Sequence, residues 1–129
     1  MSTTFHHVHI KARDPRESAR WWAEMFGATI LPEMEFGSML FAPVELDGVR
    51  INITSPDPAE GTREAPEIPH YGLEHFGLVT EDLDALLARF AEQGLEVYER
   101  RPGAGGYEIA FVSNPDGVCI ELLQEPKAG

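Results

Sequence analysis

Three residues of this 129-residue chain, His7, His75 and Glu121, have the types and the spacing to do chemistry together. Two imidazoles and one carboxylate are a common ligand set for Fe(II), Mn, Zn or Ni, with water filling the open positions. Those open positions are what permit catalysis. Each residue also has a plainer reading. Either histidine suits a hydrogen-bonded core position, and Glu121 suits an ion pair with a nearby Arg or Lys. Glu121 is nevertheless flanked by Ile120 and Leu122, and a buried carboxylate needs a partner.

An internal repeat links the three. The segment FHHVHIKARDPRESARWWAEMFG in the first half answers to GLEHFGLVTEDLDALLARFAEQG in the second. Each histidine sits in an apolar-alternating stretch and is followed by an aspartate, Asp14 after His7 and Asp82 after His75. Each aspartate opens a helical pattern that closes at a glycine, Gly27 or Gly94. Each half then has a turn dipeptide, Asp47-Gly48 or Asp116-Gly117. Asn52 and Glu121 occupy the same place after those turns, so Asn52 joins the candidate ligands.

The elements that must position these residues follow from local signals. Asp14 is a good N-cap, Pro15 suits the first helical turn, and Glu17 completes a capping-box pattern. Trp22, Met25 and Phe26 form one helical stripe; Leu83, Leu86, Leu87 and Phe90 form the other. Strands are expected near 5–12, 28–35, 38–46, 49–55, 72–79, 95–100, 107–113 and 117–124. The segment SPDPAEGTREAPEIPHYG between the halves reads as a linker. The glycines at 103, 105 and 106 read as a plain loop. Alternation puts Val8, Ile10 and Ala12 under the first helix, with Phe5, His7, His9 and Lys11 on the opposite face. In the second half Phe76 and Leu78 face the helix and His75, Gly77 and Val79 face away. Asn52, Glu121 and Cys119 fall on the same open face as the histidines.

On that face Glu121 is the first candidate base and His9 the second, with a hydrogen-bonding role for His9 as the alternative. Arg50, Arg100 and Arg101 suit either a substrate carboxylate or solvent. Cys119 reads as a small core hydrophobe bordering the cavity.

Composition limits the partners. The chain is 43% hydrophobic and 25% charged, an ordinary globular balance. A net charge of −12 disfavours nucleic acid and anionic membrane. The apolar runs fall short of a membrane span, and the N-terminus lacks the pattern of a secretory signal. A single cysteine fits a reducing cytoplasm.

With HHVHIKARDP, Ser18, Trp21 and Trp22, then EHFGLVTEDLDAL and the closing FVSNPDGVCIELLQ, the chain resembles the vicinal oxygen chelate superfamily over nearly its whole length. That superfamily includes glyoxalases, bleomycin resistance proteins, extradiol dioxygenases, methylmalonyl-CoA epimerases and fosfomycin-modifying enzymes. The resemblance implies an α+β fold in which two βαβββ modules form a cupped, mixed eight-stranded sheet with helices outside. It divides the chain as module one 1–56, linker 57–71 and module two 72–125. It also implies a homodimer and one divalent metal (Zn, Ni, Mn or Fe), held by His7, His75 and Glu121. The expected function is a metal-dependent lyase or isomerase acting on a small substrate that chelates the metal through neighbouring oxygens. The alternatives are an extradiol-type dioxygenase and a metal-free sequestering protein of the bleomycin-resistance type.

Several positions depart from named members. Glyoxalase I usually has a glutamate where Asn52 stands, whereas epimerases use an amide. Lys11 lies near a glyoxalase arginine that binds a carboxylate, but lacks its bidentate fork. Phe111 occupies the place of a tyrosine in dioxygenases and fosfomycin enzymes. Glu35 falls roughly where an epimerase has a second acid–base glutamate. Lys11, Arg50, Phe111 and Cys119 are therefore the expected substrate-pocket residues.

Overall fold

The computed structural model describes residues 1–127. The chain divides into two compact units, Met1–Arg63 and Glu64–Gly129. The architecture is α+β, and each unit carries its own sheet.

In the first unit the order is β1 (His7–Lys11), α1 (Pro15–Phe26), β2 (Thr29–Ile30), β3 (Met34–Phe36), β4 (Met39–Phe41), β5 (Val44–Leu46) and β6 (Val49–Thr54). The Asp14 carboxylate accepts the Glu17 N–H at 3.1 Å and starts α1. Gly27, at φ 75°, ends it. One face of α1 buries Ser18, Ala19, Trp22 and Met25. It packs on β2, β5 and β6, where Val44, Ile51 and Ile53 are also buried.

The second unit repeats the order with β7 (Phe76–Val79), α2 (Leu83–Glu92), β8 (Val97–Pro102), β9 (Glu108–Ser113) and β10 (Cys119–Gln124). Asp82 caps α2 by accepting the Ala85 N–H at 3.0 Å. After α2, Gly94 N–H bonds to Ala91 O and Leu95 N–H to Phe90 O. This is a Schellman closure with Gly94 at φ 69°. Leu83 and Phe90 pack over Ala110, Val112, Ile120 and Leu122, all nearly fully buried. The glycine cluster forms a 3-10 turn at Ala104–Gly106.

The fold is α+β as expected, and the eight expected strands are divided into ten, six in one sheet and four in the other. Proline explains the extra strands, because it cannot donate to a ladder. Phe41 pairs with Thr54 and Val44 with Ile51 in one unbroken register, and Ala42 N–H bonds Ile53 O between them. β4 and β5 are thus one strand interrupted at Pro43. Around Pro32 the register slips by one: Ile30 pairs with Val44, whereas Met34 pairs with Phe41. Counted this way, both sheets have the same order. A parallel first strand lies beside the last strand of its unit (β1 on β6, β7 on β10), and the others follow antiparallel. Among the described residues no helix is long and apolar enough to cross a membrane.

Candidate functional site

The four expected metal ligands fall into two pairs, one in each unit. In the first unit β1 and β6 run in register, with His7 beside Arg50, His9 beside Asn52 and Lys11 beside Thr54. These six share the sheet face away from α1, because Ile10, Ile51 and Ile53 take the buried alternation. His7 is exposed, and its Nδ1 lies 2.7 Å from Nδ1 of His6. Asn52 is buried, and its Oδ1 accepts Arg50 Nε–H at 2.8 Å. The Arg50 guanidinium also lies 6.0 Å over the Phe41 ring.

His9 Nε2 is 2.7 Å from the Thr54 hydroxyl, which accepts from Lys11 Nζ at 3.5 Å. With Lys11 donating to it, Thr54 is oriented to give its own hydrogen to His9. Lys11 is further paired with Glu60 at 3.6 Å. Burial pulls the His9 pKa below its usual 6.5; the charge of Lys11 and then His7 lower it further, and Glu60 opposes them. His9 is therefore neutral at neutral pH.

In the second unit Glu121 stands on β10 between Gly77 of β7 and Phe111 of β9. His75 immediately precedes β7. Its Nδ1 bonds to Glu74 Oε1 at 2.8 Å, and its Nε2 lies 3.9 Å from Glu121 Oε2. A carboxylate only accepts, so Nδ1 of His75 carries a proton toward Glu74, and Nε2 is the ring nitrogen turned toward Glu121. An imidazole nitrogen and a carboxylate oxygen 3.9 Å apart, beyond hydrogen-bond reach, are of the types that one cation takes as ligands. The second unit's residues fit such an ion on this ground. The hydrogen bond from His75 holds the Glu74 carboxyl below its usual range. Phe111 stacks edge-on against His75 at 4.9 Å, and Arg101 lies 5.8 Å over the Phe111 ring. Cys119 is buried; burial pushes its thiol pKa up, and Glu74 and Glu121 add to that. Arg100 is occupied elsewhere, bound to Asp84 of α2 and to Glu108.

Among the described residues no group of three or more His, Cys, Asp or Glu side chains is gathered closely enough to hold a metal ion. The structure brings His75 and Glu121 together in one unit, and places His7, His9 and Asn52 on one face of the other.

The profile of the Glyoxalase/Bleomycin resistance protein/Dioxygenase superfamily matches residues 4–122. The chain belongs to that superfamily. A lactoylglutathione lyase of Arabidopsis thaliana is 31% identical over 93% of this chain and 44% of its own length. The chain thus spans under half the length of the curated relatives it matches. Among solved structures, a glyoxylase/bleomycin resistance protein/dioxygenase domain from Frankia sp. superposes with a TM-score of 0.77. It is 22% identical, with 100% of this chain and 96% of that one covered. A variant of the fosfomycin resistance protein FosX from Listeria monocytogenes, complexed with Mn(II) and 1S,2S-dihydroxypropylphosphonic acid, gives 0.71. It is 16% identical over 95% of this chain and 92% of that chain.

Within this superfamily fold, sequence reasoning missed Glu74 and Thr54. A strand over 72–79 would put Glu74 on the face opposite His75, but β7 begins only at Phe76. In the irregular segment before it, the two adjacent side chains meet. The signal that could have found Glu74 is a carboxylate directly beside a candidate ligand histidine. Thr54 was visible on the alternation with Asn52 and is bound by both His9 and Lys11.

Proposed function

We propose that this chain is a divalent-metal-dependent enzyme of the glyoxalase type. It would be a lyase or isomerase acting on a small substrate with two neighbouring oxygens. His7, His75 and Glu121 would hold the metal, and Asn52 would join through the lone pair that Arg50 leaves free. One observation carries the reading. The repeat-related histidines have their Nδ1 atoms engaged by the residue just before them, His6 for His7 and Glu74 for His75, and His75 Nε2 is left facing Glu121. Ligand histidines are commonly fixed through the other ring nitrogen in this way.

When bound, the metal supplies Lewis-acid stabilisation of negative charge on the substrate oxygens. Glu121 accepts the proton from the carbon beside a carbonyl. His9, neutral and hydrogen-bonded to Thr54, is the second proton carrier. Lys11 and Arg50 would attract the polar end of the substrate, while Phe111 and Cys119 would give the pocket apolar lining near His75 and Glu121. The Mn(II) and the 1,2-diol in the FosX complex give this chemistry a precedent within the fold. We further propose a homodimer in a reducing, cytoplasmic compartment.

The test is elemental analysis of purified protein, followed by turnover of a glutathione hemithioacetal with Mn(II), Ni(II) or Zn(II). One equivalent of metal per site, lost in His75→Ala and Glu121→Gln, is expected. Protein without stoichiometric metal, and indifferent to those changes, would sink the proposal.

A further inference from the structure

A cavity of about 280 Å³ opens on the first unit's sheet face and meets the site assigned above only at His9 and Thr54. Met34, Phe36, Met39 and Phe41 wall it, with His9 and Thr54 at one end and Glu35 on its border. The β3–β4 pairing explains the wall: Met34 stands opposite Phe41 and Phe36 opposite Met39, so all four side chains project to one side of the hairpin. Met34 and Phe36 leave 57% and 74% of their surface in solvent. They are not closing a core. Large apolar side chains kept exposed around a hollow mark a binding surface.

From this geometry we infer that the cavity binds an uncharged aromatic group carrying a hydroxyl or carbonyl. Its walls are two phenyl rings and two thioethers, which favour a flat ring through edge-to-face and sulfur–aromatic contacts. Its inner end is an imidazole and a buried threonine hydroxyl, groups that pair with a neutral oxygen. No lysine or arginine lines it; Lys11, 3.5 Å from the Thr54 hydroxyl, is paired with Glu60, and Arg50 with Asn52, so a buried carboxylate or phosphonate would have to break one of those pairs to gain a counter-charge. A cationic group meets the opposite obstacle, because the Phe41 ring already carries the Arg50 guanidinium. The site would thus select aromatic substrates, with the ring in the cavity and the reacting oxygens beyond His9. As a substrate pocket it rests on the proposed function; as a binding site it does not.

Methyl-labelled methionine NMR tests it, since the chain has four methionines. Protein treated with EDTA is titrated with phenol, benzoate and benzylamine, so that failure of the metal reading leaves this result standing. Phenol is expected to shift the Met34 and Met39 methyls saturably and leave Met25, buried in α1, unmoved. Benzoate and benzylamine should bind at least tenfold more weakly. Phe41→Ala should weaken phenol at least tenfold. Phe36→Ala, at an exposed position that folding does not need, should weaken it severalfold. Three results would overturn the inference: no saturable shift, equal binding of either charged probe, or Met34 and Met39 shifts that follow protein concentration and ignore phenol. The last would assign the cavity to contact between copies.

Discussion

Among the residues, Glu74 makes the sharpest prediction, because the sequence pattern pointed away from it. Its carboxylate fixes the His75 proton on Nδ1 and so presents Nε2 to Glu121. Changing Glu74 to Gln keeps the shape but lets the amide present either an oxygen or an NH₂ to the ring. Metal affinity, read by calorimetry with Mn(II), is expected to fall about 10–100-fold. Glu74 is half-buried beside an exposed loop, so the folding midpoint should hardly move. Equal metal affinity in Glu74→Gln would remove Glu74 from the proposed site. A second residue-scale prediction concerns Gly77, directly across from Glu121. A Cβ there would stand 3.0 Å from Leu123 Cδ1 and 4.0 Å from Glu121 Oε2. The leucine end can rotate away, so Gly77→Ala should fold. The displaced leucine would then press on Glu121, and turnover should fall more than stability does. Denaturation midpoints compared with kcat/KM separate the two effects.

Elements show why much of the fold was readable and part was not. Both helices start at the aspartates that the repeat singled out, and α2 closes at the expected Gly94, because caps are local and need no tertiary context. The open-face alternation of β1 was readable for the same reason. What failed was strand continuity: Pro32 and Pro43 sit inside runs that look like two strands and behave as four. Periodicity is blind to a missing N–H. The partners of Arg100 and Lys11 were unreadable too, since they depend on which strand end meets which helix or loop. The helix ends offer a stability test. Asp14→Ala removes an oxygen bonded to the Glu17 N–H and should cost about 0.5–2 kcal/mol. Gly94→Ala forces an L-residue to φ 69° and should cost about 1–2 kcal/mol. Urea midpoints should drop with unchanged slope. If Gly94→Ala has the stability of the parent, the left-handed closure is not what ends α2.

For the whole molecule, the two units have matching topology. One offers His7 and Asn52, the other His75 and Glu121. The proposed ligand set draws on both units, and linkage turns that into a measurement. A metal that binds only the folded protein stabilises it by about 2.7 kcal/mol at a concentration 100 times its Kd. For a domain of this size that raises Tm by on the order of 10 °C. Carboxylate self-repulsion, from a net charge of −12, is also relieved by any divalent cation, so a rise in Tm alone proves little. The control is Mg²⁺ at matched ionic strength, which screens equally but binds imidazole poorly. Mn(II) should exceed Mg²⁺, and the excess should vanish in both His7→Ala and Glu121→Gln. It should survive in Asp14→Ala, which starts from a lower Tm but keeps every ligand. If the excess persists in His7→Ala while Glu121→Gln abolishes it, the metal belongs to the second unit alone and His7 is no ligand. If both variants keep it, the binding is diffuse and follows from charge.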